Sequence, residues 1–101
     1  MTTRERALLR GYANAVEPVL FIGKDGVTDA VVRSAWDALE ARELIKVTVQ
    51  RGSPYESTRA ACDALCERTH ADPVQCIGHR FVVYRAAREN PELLKRLTAE
   101  A

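Results

Sequence analysis

The sequence predicts a two-layer α/β sandwich in the order α-β-α-β-α-β-β, on a mixed four-stranded sheet whose last strand runs antiparallel. Three observations carry this. Val19-Leu20-Phe21-Ile22, a glycine turn, a helical pattern from Thr28 and the strand-like Leu44 to Val49 form a βαβ unit, so the first two strands should be parallel with a right-handed crossover. Ser53-Pro54-Tyr55-Glu56 reads as the start of a third helix. Asp72 to Arg85 reads as two strands joined by the two-residue turn Gly78-His79.

Thr3 to about Asn14 reads as a first helix. Thr3 is its expected cap, without a full capping box, and Ala7, Leu8, Gly11 and Tyr12 form its apolar stripe. Glu17-Pro18 ends it, because the residue before proline disfavours helical angles. Val19 to Ile22, short and bounded by Pro and Gly, has the signature of a fully buried strand.

Thr28 is a good N-cap for the second helix, with Asp29 in its first turn. Val31, Val32, Ala35, Ala38 and Leu39 form its buried face, and Trp36 flanks that stripe or offers a stacking surface. In the second strand Ile45, Val47 and Val49 share one face; Leu44, Lys46 and Thr48 share the other. The third helix, expected from Ser53 to about Thr69, carries Thr58, Ala61, Cys62, Leu65 and Cys66 on its apolar face.

In the hairpin, glycine at the first turn position suits type II′. Phe81 and Val83 face one side of the last strand, Val82 and Tyr84 the other, so both sheet faces need cover; the first helix is the candidate for the second. Asn90-Pro91-Glu92 caps a short final helix with Leu93, Leu94 and Leu97, which either docks or frays. Residues 1–88 are read as the domain and 89–101 as a short helix or tail.

At 101 residues the chain suits one domain able to bury a core without disulfides or a metal. It is 47% hydrophobic and 29% charged, with a formal net charge of +1, so composition alone does not announce a nucleic-acid binder. No apolar run approaches membrane-spanning length, and the N-terminus lacks a signal-peptide pattern, so a cytoplasmic protein is expected. Cys62, Cys66 and Cys76 are an odd set, which argues against a disulfide framework; they read as small core residues. Cys62 and Cys66 have a metal-ligand spacing, but nothing in the sequence places two further ligands beside them.

No Ser/His/Asp or Cys/His pairing with supporting sequence is present, and no Gly-Lys-Ser/Thr follows the glycines, so no enzyme, catalytic residue or cofactor is expected. What stands out is Gly23-Lys24-Asp25-Gly26, between a strand and a helix. Two glycines permit angles that a Cβ forbids and let another backbone approach amides at the positive end of a helix. Lys24 adds a mobile charge, and single-stranded RNA is held by a GxxG loop in this way in KH modules. A lone GxxG is a weak signal and more often marks a plain tight turn. Lys46, Arg80 and Arg85, with Arg88 after them, make a phosphate-tracking patch if they converge on the loop; otherwise Arg80 and Arg85 are ordinary edge charges.

Three stretches in order resemble the CRM domain (chloroplast RNA splicing and ribosome maturation), whose single-domain bacterial members are the YhbY-like proteins. They are Gly23-Lys24-Asp25-Gly26-Val27-Thr28, then Leu44-Ile45-Lys46-Val47, then Ile77-Gly78-His79-Arg80-Phe81-Val82-Val83-Tyr84-Arg85. The resemblance covers about residues 3 to 86. It implies a fold like the C-terminal domain of translation initiation factor three, with the last strand between the second and third. It also implies a non-catalytic RNA-binding protein acting on ribosomal RNA in precursors of the large subunit; a monomer is expected. The implied contacts are Gly23, Lys24, Asp25 and Gly26, with Lys46, Arg80 and Arg85 matching the family's basic positions.

Two departures point to weaker RNA affinity. Asp25 stands where the family usually has an uncharged or small residue, although it could cap the next helix. His79 stands where lysine is common. They motivate an alternative, a protein-interaction or regulatory module that keeps the fold with weakened RNA binding.

Overall fold

The computed structural model describes all 101 residues. Its elements are α1 (Thr3–Ala13), β1 (Pro18–Ile22), α2 (Asp29–Arg42), β2 (Leu44–Val49), α3 (Thr58–Thr69), β3 (Asp72–Ile77), β4 (Arg80–Tyr84) and α4 (Leu93–Glu100). The sheet order is β1-β2-β4-β3. β1 and β2 are parallel, and β4 is antiparallel to both β2 and β3. The expected mixed sheet is therefore present, with the last strand inserted between the second and third.

The period-2 pattern of the central strands sorts the core. Ile45, Val47, Val49, Phe81 and Val83 face α2 and α3, where Ala35, Leu39, Ala61, Cys62 and Leu65 close on them. Leu44, Val82 and Tyr84 face the other way, against Leu9 and Ala13 of α1 and Leu93 of α4. So α1 is the second cover, as its position in the sequence suggests, and α4 docks beside it. That cover reaches only one end of the face. No helix is long and apolar enough to cross a membrane.

Four local expectations are corrected. The cap of α1 is Thr2, not Thr3, and it makes a full capping box: the Glu5 amide donates to Thr2 Oγ1 at 3.0 Å and the Thr2 amide to Glu5 Oε1 at 2.7 Å. The buried stripe of α1 is Leu9 and Ala13, while Ala7 and Gly11 are exposed. Ala7, Leu8 and Leu9 are contiguous, so the apolar pattern left the helix phase open by about one residue.

The third helix begins at Thr58, capped by Ser57, whose Oγ accepts from the Ala60 amide at 3.0 Å. The stronger-looking signal at Ser53 is overridden because Tyr55 is held in a tertiary contact described below. β1 is an edge strand, not a fully buried one: Ile22 is buried, but Phe21 is 55% exposed. The sheet face beneath Phe21 lies beyond the reach of α1.

The hairpin turn behaves as expected, with Gly78 at φ +59° and no positive φ at His79. α4 is fixed by a residue the pattern gave no reason to single out. Glu43, at the end of α2 with φ +66°, is buried and accepts hydrogen bonds from the amides of Ala87 (3.0 Å), Glu92 (2.9 Å) and Leu93 (3.0 Å). Burial works against its charge, but these amides and the nearby Arg96 outweigh that and hold the carboxyl below its ordinary value.

Candidate nucleic-acid interface

Parallel pairing of β1 with β2 brings the ends of both strands to one edge of the molecule. The Gln50 amide donates to the Ile22 carbonyl at 2.8 Å, so the glycine loop lies against Gln50 and Arg51. The β3–β4 turn reaches the same edge, because the Val49 amide donates to the His79 carbonyl at 2.7 Å. An open groove of about 490 Å³ separates Gly23, Lys24, Asp25 and Gly26 from Gln50 and Arg51.

The loop is held in place from behind. The Gly26 amide donates to the Gly23 carbonyl at 3.0 Å, closing a turn, and the Thr28 amide to the Gly26 carbonyl at 3.1 Å. Gly26 has φ +72°, and a Cβ there would meet Pro54 Cγ at 3.0 Å and Tyr55 Oη at 3.1 Å. Tyr55 Oη accepts from the Val27 amide at 3.0 Å. Arg68 reaches across from α3, donating to the Val27 carbonyl at 3.0 Å and to Asp29 Oδ1 at 2.6 Å. That contact with Arg68 holds the Asp29 carboxyl below its ordinary value. Thr28 caps α2 by accepting from the Val31 amide at 3.2 Å, so Asp25 is not the cap.

These bonds occupy the amides of Gly26, Val27 and Thr28. The amides of Lys24 and Asp25, at the tip, make no hydrogen bond within the protein. Both side chains are exposed. Two free N–H groups beside a lysine and before a helix N-terminus form an anion-binding geometry. Gly23 differs from Gly26. Its φ is not positive, and a Cβ would meet only the end of the exposed Gln50 side chain, at 3.2 Å.

The other predicted residues divide between two ends of the sheet. Arg80 pairs with Thr48 and lies at the loop end; Lys46 lies two residues further along β2 on the same face. None of the three ion pairs involves Lys24, Lys46 or Arg80. Arg85 is at the opposite end, beyond Tyr84, which pairs with Leu44. It donates to the Thr69 carbonyl at 2.8 Å, lies 3.8 Å from Glu40, and stacks 3.9 Å above the Trp36 ring. Arg88 covers the same ring at 4.7 Å, so Trp36 is packed by cations. The structure thus brings Gly23 to Gly26 and Arg80 towards one end, sets Lys46 in mid-sheet level with Pro18, and leaves Arg85 apart.

A model of the CRS1 / YhbY (CRM) domain matches residues 1–85. The chain belongs to the CRM family. It is 34% identical over 93 residues to a Bacillus subtilis protein named "Probable RNA-binding protein YqeI", covering 92% of this chain and 96% of that one. It is 36% identical over 89 residues to a Haemophilus influenzae protein named "RNA-binding protein", covering 88% and 89%. The solution structure of the Staphylococcus aureus protein SAV1595 superposes with a TM-score of 0.77 at 34% identity, covering 92% and 96%.

Sequence reasoning missed Arg51, Tyr55 and Arg68. Arg51 was recoverable, since parallel strands joined by one crossover must end together, placing the residues after Val49 beside those after Ile22. Tyr55 and Arg68 meet the loop only through tertiary packing, 28 and 41 positions from their partner Val27.

The cysteines are all free, with Cys62 buried. The neighbouring Cys66 thiol, together with burial, pushes the Cys62 thiol up.

Proposed function

We propose that this protein is a non-catalytic, cytoplasmic RNA-binding protein that grips ribosomal RNA in large-subunit precursors and assists their assembly. The observation that carries the RNA contact is the loop tip. The Lys24 and Asp25 amides are unbonded, Lys24 is free of ion pairs, and a docked Tyr55 fixes the turn behind them. Phosphate oxygens accept from these amides, and Lys24 neutralises them. Lys46 and Arg80 extend the contact from the loop, while Arg85 secures the far end of the sheet. Names of the CRM relatives support RNA as the partner; the ribosomal target rests on the family resemblance.

Backbone gripping reads no sequence, so affinity should fall with salt in the same way for unrelated strands. Sedimentation of the tagged protein from lysate tests the ribosomal target: comigration with large-subunit precursors that RNase abolishes is expected. A protein that stays at the top of a low-salt gradient overturns it. Asp25 is the observation that favours a protein-interaction module, since its exposed carboxylate opposes a phosphate at the same tip. A salt-independent protein partner with no RNA shift would establish that reading instead.

A further inference from the structure

The sheet face opposite α2 and α3 is only half covered. At its open end one cross-strand row runs Phe21, Thr48, Arg80, Ile77, because Phe21 pairs with Thr48, Thr48 with Arg80, and Arg80 with Ile77. Neighbouring strands are about 4.8 Å apart, so this row spans roughly 14 Å. Its two ends are the most exposed large apolar side chains of the molecule, Ile77 at 65% and Phe21 at 55%. The next row brings Lys46, Val82 and Gln75 together. A shallow pocket of about 230 Å³ joins the rows, lined by Asn14, Lys46, Gln75, Ile77, Arg80 and Val82. None of these is acidic, and neither cation is ion-paired. The Thr48 hydroxyl in the floor of the row has no hydrogen-bond partner.

An exposed aromatic ring on a pleated surface, with unpaired cations and side-chain amides further across the same face, is the chemistry that holds unstacked bases. Phe21 is two residues before Gly23, about 7 Å of strand, so the face continues directly from the loop. We infer that this half-face is a base-stacking platform for single-stranded RNA leaving the glycine loop. Phe21 stacks on a base, Lys46 and Arg80 pair with the flanking phosphates, and Asn14 and Gln75 hydrogen-bond base edges. This rests on the loop reading and extends it: the loop grips backbone, and the platform requires bases and a free strand. A duplex, whose bases are already stacked, cannot use it.

The test compares two fluorescent probes at one salt concentration, oligoadenylate and a strand of the same length made of abasic ribose phosphate. Phe21→Ala should weaken oligoadenylate at least about fivefold and leave the abasic strand within about twofold. Phe21→Trp should restore oligoadenylate binding and Phe21→Leu should not, which separates stacking from apolar contact. Phe21 is more than half exposed, so these variants should fold, and urea titration checks it. Equal oligoadenylate binding by Phe21→Ala and the wild type overturns the platform. If Lys24→Ala still weakens both probes, the loop reading survives that result. Equal loss on both probes also overturns stacking. A wild-type protein that binds neither probe overturns both readings. Loss of self-association in Phe21→Ala, with RNA affinity unchanged, makes the face a contact between copies and ends the proposal.

Discussion

The two glycines of the loop should respond differently to the same substitution. Gly26→Ala forces a Cβ onto a residue at φ +72°, which costs about 1–2 kcal/mol for a left-handed conformation. The new methyl would also stand 3.0 Å from Pro54 Cγ and 3.1 Å from Tyr55 Oη. Moving Tyr55 away weakens its hydrogen bond with the Val27 amide, worth about 1 kcal/mol. Alanine returns about 0.4–1 kcal/mol by restricting the unfolded chain. The net expectation is a loss of about 2 kcal/mol, or a drop in Tm of about 10 °C for a domain of this size.

Gly23→Ala meets neither cost and keeps the gain from restricting the unfolded chain. Its φ is already ordinary, and the Gln50 side chain, the only group a Cβ would touch, is exposed and can swing aside. Its stability should lie between that of the parent and about 1 kcal/mol above it. Its RNA affinity should fall, because the methyl stands on the surface a phosphate approaches. Urea unfolding followed by the single tryptophan, with anisotropy of a labelled RNA, measures both quantities. Equal destabilisation by the two variants would refute the reasoning. So would a stable Gly23→Ala protein that binds RNA like the parent, since Gly23 would then serve neither fold nor ligand.

Tyr55→Phe removes only the acceptor for the Val27 amide; it should cost about 1 kcal/mol in urea and weaken RNA binding through a looser loop. Lys24→Ala should lower affinity for unrelated RNAs alike and reduce the slope of log K against log salt by about 1, read from a salt titration. Arg85→Ala should destabilise by about 1–3 kcal/mol, through the lost Thr69 bond and the uncovered Trp36, while leaving that salt slope unchanged. Glu43→Gln should cost about 2 kcal/mol at neutral pH and strip hydrogen-exchange protection from α4. Because the folded carboxyl sits below its ordinary value of 4.5, its contribution is complete above that pH and is lost as pH falls through the lowered value. The gap between parent and Glu43→Gln should therefore close on acidification.

The parts of the fold legible in the sequence were those set by local periodicity. Alternation in Leu44 to Val49 and Arg80 to Tyr84 assigned each side chain to the correct core, and the βαβ spacing gave the parallel pair. Placing β4 between β2 and β3 is a choice among sheet orders that no local pattern makes, so it came only with the family resemblance. Misreadings occurred where tertiary contact outweighed a good local signal. Ser53-Pro54-Tyr55-Glu56 has the composition of a helix start, yet Tyr55 does more as a strut beneath Gly26 than as the second residue of a helix. Phe21 read as core because an apolar run carries no mark of where a covering helix stops.

The same logic explains why a net charge of +1 says little about the surface. At the far end of the sheet the charges are consumed by structure. Arg85 is divided between Thr69, Glu40 and Trp36, Arg88 lies over Trp36, and Glu43 holds the start of α4. Lys24 and Arg80 at the loop end, and Lys46 in the middle of β2, have no ion-pair partner. Arginines and lysines that are equivalent in composition therefore have opposite roles, set by whether a carboxylate, a carbonyl or a ring is already within reach. A cation that the fold has left unpaired is free to neutralise a phosphate and release the counterions condensed on the RNA, and it is those positions, rather than the total charge, that should set the salt dependence of any RNA complex.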